Sequence, residues 1–216
     1  MMTKEEVLTQ LGKTGIVAVV RAETAERSVA VSEALIEGGV KAIELTFTVP
    51  NADEAISTLV KKYADRNDVL IGAGTVLTDF EAHQAIKAGA KFIVAPSFST
   101  KVASVCNAAG VNYVPGCFTP TEVYTAKETG VALTKIFPAS LVGPSVIREL
   151  HGPFPGVRIM PSGGVNLDNL TDWLDVGAYV VGVGGSLVGN ADTDLTEITE
   201  NAKKFSSKFA EWQANH

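Results

Sequence analysis

Lys135, Glu44 and two glycine-rich loops late in the chain are the residues whose types and spacing could carry chemistry. Lys135 lies in Val131-Ala132-Leu133-Thr134-Lys135-Ile136-Phe137-Pro138, an apolar run of strand length bounded by Gly130 and Pro138. Period-two alternation puts Val131, Leu133, Lys135 and Phe137 on one face and Ala132, Thr134 and Ile136 on the other. Lysine is almost never fully buried without a partner. Desolvation favours the neutral form of an amine, the form that attacks carbonyls to make imines. The alternative is a strand-end lysine whose stem lies on apolar surface while its head reaches water. Glu44 sits in a second such run, Ala42-Ile43-Glu44-Leu45-Thr46, on the face of Ala42 and Thr46. If both charges face one interior, each supplies what the other needs, because an uncompensated buried charge costs about 3 to 5 kcal/mol. Such a pair is either purely stabilising or a working one, in which the carboxylate moves protons while the amine forms and loses a carbinolamine.

The loops are Pro161-Ser162-Gly163-Gly164-Val165-Asn166 and Gly182-Val183-Gly184-Gly185-Ser186. Glycine-exposed amides, hydroxyls and a helix start suit a phosphate. Equally, the glycines permit tight turns and Asn166 caps the next helix. A phosphate held this way needs no basic patch, and the formal net charge of −6 offers none, which argues against nucleic acid and anionic membrane surfaces as partners. Cys106 and Cys117 are too few for a disulfide scaffold or a cysteine-rich zinc site, and they suit a reducing, cytoplasmic setting. A metal-dependent site would need several Asp, Glu or His ligands at strand ends. Only Glu44 is there, and His83, His151 and His216 do not cluster. The opening Met1-Met2-Thr3-Lys4-Glu5-Glu6 lacks the basic-then-apolar order of a signal peptide, and no stretch has the length and apolarity of a membrane span.

The elements that must position these residues alternate. At 216 residues, 46% hydrophobic and 19% charged, the chain is of a size and composition for one substantial core. Thr3, followed by acids, predicts a short leading helix to about Leu11, closed by Gly12 and Gly15. Strands are then expected at Ile16 to Val20, Ala42 to Phe47, Val69 to Ile71, Phe92 to Ala95, Tyr113 to Val114, the lysine run, Val157 to Met160 and Tyr179 to Val183. Helices fall between them, among them Leu167 to Leu174, and a last one runs from Leu195 to Trp212. A recurring phrase of helix end, glycine, small or β-branched residue and strand (Gly39-Val40, Gly89-Ala90, Gly110-Val111, Gly130-Val131, Gly156-Val157, Gly177-Ala178) advances by one unit per roughly 20 to 26 residues. Eight strand-helix units predict a single (β/α)8 TIM barrel domain over residues 1–216. An open doubly wound sheet is the alternative, but no G-x-G-x-x-G follows the first strand. In a barrel, chemistry collects at the C-terminal strand ends, here Arg21, Gly72-Ala73-Gly74-Thr75, Pro96-Ser97 and Pro115-Gly116 beside Glu44 and Lys135.

Ile43-Glu44-Leu45-Thr46, Gly72-Ala73-Gly74-Thr75-Val76, Lys135-Ile136-Phe137-Pro138-Ala139, Ser162-Gly163-Gly164-Val165 and Gly184-Gly185-Ser186 keep the order and spacing of motifs in one family. Over nearly its whole length the chain resembles the KDPG/KHG aldolases, class I Schiff-base lyases acting on 2-dehydro-3-deoxy-6-phosphogluconate. The resemblance implies Lys135 as the imine-forming lysine and Glu44 as general acid/base. It implies Arg21, Thr75, Pro96 and Phe137 around pyruvate, and Ser162, Gly163, Gly164, Gly185 and Ser186 around phosphate. It further implies a homotrimer with neither metal nor cofactor. Thr48 stands where many members carry an arginine, so the substrate carboxylate falls to Arg21; Ser140 stands where many carry a glutamate. Alternatives within reach of the same residues are an aldolase for 4-hydroxy-2-oxoglutarate or the galactonate epimer, a phosphate-binding barrel isomerase or transferase, and a non-catalytic sugar-phosphate binder.

Overall fold

Local signals set the frame from the first turn. Thr3 Oγ1 accepts the Glu6 amide at 3.2 Å and the Glu6 carboxylate accepts the Thr3 amide at 2.7 Å, a reciprocal cap that starts helix α1 (Lys4–Thr14) and contributes about 1 kcal/mol. Gly15, in the left-handed region at φ 68°, ends it one turn beyond the expected Leu11, and Gly12 lies inside the helix. The computed structural model describes residues 2–216; Met1, the first residue of the expected domain, lies outside them.

The chain continues as β1 (Ile16–Val20), α2 (Ala25–Glu37), β2 (Ala42–Thr46), α3 (Ala52–Lys62), β3 (Leu70–Gly74), α4 (Asp79–Lys87), β4 (Phe92–Val94), α5 (Thr100–Ala109), β5 (Asn112–Val114) and β6 (Gly116–Cys117). Then come α6 (Pro120–Glu128), β7 (Thr134–Ile136), a 3-10 turn (Ala139–Leu141), α7 (Ser145–His151), β8 (Ile159–Pro161), α8 (Leu170–Asp175), β9 (Val181–Val183), α9 (Gly185–Val188) and α10 (Leu195–Ala214). All six glycines of the recurring phrase have positive φ, as a helix-ending left-handed turn requires.

Every strand pairing is parallel, in a six-stranded sheet ordered β5-β4-β3-β2-β1-β9 and a three-stranded sheet ordered β6-β7-β8. Among the described residues, the eight expected strands are thus nine segments in two sheets. The extra break falls at Pro115, which has no amide hydrogen to give a ladder and separates β5 from β6. A single parallel bridge, Ser162 with Gly182, joins the end of β8 to β9. The lysine strand is also shorter than its apolar run: only Thr134 to Ile136 is in the ladder.

Alternation sorts the strand residues onto two faces as expected. Ile43, Leu45, Ile93 and Ile136 pack under the helices, while Ala42, Leu70, Phe92, Leu133 and Met160 face inward and meet Val7, Leu8 and Leu11 of α1. The leading helix therefore closes the end of the inner face where the strands begin, and leaves their C-terminal ends for a site. Among the described residues, no helix is long and apolar enough to cross a membrane.

Candidate active site

Lys135 lies at the centre of the three-stranded sheet, in register with Gly116 on one side and Met160 on the other. Glu44 lies in the six-stranded sheet between Val19 and Gly72. Their side chains meet inside: Nζ of Lys135 is 3.8 Å from Oε1 of Glu44, with 8% and 1% of the side chains exposed. Nζ of Lys135 also sits 5.1 Å from the centre of the Phe137 ring, within cation–π range. Apart from this ion pair, neither Glu44 oxygen has a hydrogen-bond partner, although both are buried. Burial raises the Glu44 pKa above the ordinary carboxylate value, and the charges of Lys135 and Arg21 oppose that rise. A carboxyl balanced in this way can take up and return a proton. The sequence makes room for it with glycine, since a methyl group at Gly74 would overlap the Glu44 carboxylate.

Arg21, at the end of β1, donates to Thr48 Oγ1 at 3.2 Å and to Thr75 Oγ1 at 3.4 Å. Thr75 holds a left-handed backbone at φ 55°, rare for a β-branched residue and costing about 1 to 3 kcal/mol. Pro96 follows β4, and its backbone lies against Gly116, the register partner of Lys135; any side chain at Gly116 would strike it.

A cavity of about 310 Å³ opens above the pair. It gathers Arg21, Lys135 and Phe137 with both glycine loops, Ser162 to Asn166 and Gly184 to Ser186. Glu44, Thr75 and Pro96 are not in its lining: Glu44 reaches it through Lys135, Thr75 touches Arg21, and Pro96 lies against Gly116 of β6, the strand beside the lysine strand. Sequence reasoning missed Val19 in that lining, although alternation puts it on the face of Val17, an inner one. It also missed Thr48 as a partner of Arg21, which no strand pattern signals.

The loops are built rather than loose. Gly163 and Gly164 have φ of 89° and 85°, and a side chain at Gly164 would meet Ser140. Asn166 does not cap a helix as expected, because α8 starts at Leu170 and not at Leu167. Its Oδ1 instead accepts the amides of Asp168 and Asn169 at 2.9 and 3.0 Å, and the Asn169 side-chain amide donates to the Gly164 carbonyl at 3.0 Å. Ser186 Oγ donates to the Val165 carbonyl at 2.7 Å and ties the second loop to the first. Ser162 is buried beside Gly182, where a side chain would collide with its hydroxyl.

A buried amine and carboxylate at the strand ends of a parallel α/β fold, with an arginine at the rim and a glycine-lined recess, make a site capable of lysine-dependent carbonyl chemistry on an anionic molecule. The family model described as KDPG and KHG aldolase matches residues 7–201, and the chain belongs to that family. It is 38% identical over 194 residues to a 2-dehydro-3-deoxy-phosphogluconate aldolase of Treponema pallidum, covering 88% of this chain and 90% of that one. It is 32% identical over 200 residues to a 2-dehydro-3-deoxy-6-phosphogalactonate aldolase of Escherichia coli, covering 92% and 96%. Among solved structures, KDPG aldolase from Legionella pneumophila, with pyruvate captured as a covalent carbinolamine, superposes with a TM-score of 0.82 at 27% identity, covering 91% of this chain and 96% of that one.

Proposed function

We propose that this chain cleaves 2-dehydro-3-deoxy-6-phosphogluconate reversibly to pyruvate and glyceraldehyde 3-phosphate through an imine on Lys135. The observation that carries the reading is the buried Lys135–Glu44 pair at the foot of the cavity. Lys135 passes a proton to Glu44, its neutral amine adds to the C2 ketone, and the carbinolamine loses water with that proton returned by Glu44. The resulting iminium is the electron sink. Glu44, now a carboxylate, takes the proton of the C4 hydroxyl, the C3–C4 bond breaks, and its electron pair becomes the enamine as the aldehyde leaves. Proton return to C3 and hydrolysis release pyruvate and restore the amine. No metal or cofactor is needed for any of these steps. Arg21, held near Thr75, binds the carboxylate; Phe137 and Pro96 shape the pyruvate end; Ser162, Gly163, Gly164, Gly185 and Ser186 hold the phosphate through backbone amides and hydroxyls.

The 38% identity to a gluconate-type relative favours that epimer, and the 32% identity to a galactonate-type relative keeps the second epimer as a substrate to be tested beside it. We further propose one domain over 1–216 whose two sheets close into a single eight-stranded barrel. The Ser162–Gly182 bridge and the one-residue junction at Pro115 support closure. Exposed Leu77, Phe80 and Leu141 (54%, 68% and 73%) support burial against further copies in a homotrimer. The free, buried cysteines Cys106 and Cys117 support a cytoplasmic setting.

The test is pyruvate release from both epimers and from the unphosphorylated 4-hydroxy-2-oxoglutarate, by the wild type and by Ser186→Asp. A carboxylate beside the loops should raise KM for the phosphorylated substrates by about tenfold or more while changing that for 4-hydroxy-2-oxoglutarate little. Equal effects on both would reject the phosphate site, and no pyruvate from any substrate would favour the isomerase, transferase or binder readings.

A further inference from the structure

We propose that Thr48 is a positioning residue: through a one-way chain of hydroxyls it fixes the Arg21 guanidinium over the cavity, and so sets the grip on the substrate carboxylate. This rests on the reading that Arg21 binds that carboxylate. Thr46 Oγ1 donates to the Val20 carbonyl at 3.1 Å and lies 2.7 Å from Thr48 Oγ1. A hydroxyl has one proton. Thr46 gives its own to Val20, so Thr48 must be the donor in the Thr46–Thr48 contact. The Thr48 oxygen is then left as an acceptor, and Arg21 Nη1 donates to it at 3.2 Å. The order is Arg21 to Thr48 to Thr46 to the carbonyl of Val20, the residue before Arg21 in the chain. The ring ties the head of the arginine back to its own strand.

Every bond in this ring points the same way, so each polarises the next, and the positive charge stands at the donating end. Its anchor is buried, since Thr46 is wholly covered, whereas Thr48 and Arg21 are exposed. An exposed arginine otherwise samples many rotamers, and that freedom is lost on binding. Thr48 and Thr75 hold two different nitrogens of the guanidinium, and two such bonds restrain its orientation as well as its position. The charge held there also acts on the reaction, because Arg21 is one of the two cations opposing the raised pKa of Glu44. Released from Thr48, Arg21 should bind pyruvate more weakly and leave Glu44 to protonate at higher pH.

Thr48→Val keeps the shape, removes the hydroxyl and sits on the surface, so folding is not at stake. The expected result is a KM for the keto acid raised roughly five- to tenfold with kcat changed less than threefold, and an acid limb of the kcat profile moved to higher pH. Thr48→Ser should restore both. In an Arg21→Ala background, itself weakened in KM, Thr48→Val should add nothing. Wild-type KM in Thr48→Val, or an equal penalty with and without Arg21, overturns the positioning role while leaving Arg21 as the carboxylate ligand. An unchanged KM in Arg21→Ala overturns both.

Discussion

Lys135→Met should lower kcat for pyruvate release by about 10⁴-fold or more, because no other group in the cavity can form the imine that carries every later step. Methionine keeps much of the volume of lysine, so the strand and its neighbours should stay folded. Glu44, however, loses its partner. Its folded pKa is already raised by burial, and the Lys135 charge is the larger of the two charges opposing that rise. Without it the folded pKa climbs further above the unfolded value. Between those two values the folded protein holds more protons than the unfolded chain, so stability must fall as pH rises through that window and return as pH drops below it. Melting temperatures of Lys135→Met from about pH 4 to about pH 8 should therefore decline more steeply than those of the wild type. Turnover within tenfold of the wild type would remove Lys135 from the chemistry, and parallel melting curves would remove the electrostatic coupling.

Glu44→Gln should reduce kcat by about 10² to 10⁴-fold with little change in KM. The amide keeps the shape that Gly74 accommodates but cannot take the C4 hydroxyl proton or donate one to the departing water of the carbinolamine. It also takes away the charge that pairs with buried Lys135, so thermal stability should fall along with activity. The size of the kcat loss in the protein that remains folded therefore separates a catalytic carboxylate from a structural one. If Glu44 served only to steady Lys135, kcat at a temperature well below melting would stay within about tenfold of the wild type. Kinetics and calorimetry on the same preparation decide it, and an unchanged kcat would discard the proton role.

The amine–carboxylate pair was legible in the sequence because period-two alternation is a local rule. It placed Lys135 with Leu133 and Glu44 with Ala42, and both faces proved to be inner ones. The helix-ending glycines were legible for the same reason, since each is set by its own backbone angle. Three things were not. Pro115 reads as part of a strand end, yet a missing amide hydrogen splits the ladder there, and register with neighbours cannot be counted from one strand. Asn166 fits the pattern of a helix cap as the alternative to a phosphate loop, but Asp168 and Asn169 take its oxygen first, a turn that delays α8 to Leu170. Thr48 lies beyond the end of β2, where alternation no longer applies, and its contact with Arg21 spans two strands. What the sequence hides is thus what depends on contacts between elements, including the cavity itself.

The claim on which the rest depends is that Lys135 is where the substrate is covalently held. Incubating the protein with pyruvate and borohydride, digesting it and mapping the peptides by mass tests that claim directly. A reduced pyruvate adduct should form on the peptide carrying Lys135, with parallel loss of activity, and should be absent in Lys135→Met. An unmodified Lys135 peptide, or an adduct on another lysine that tracks inactivation, would contradict it.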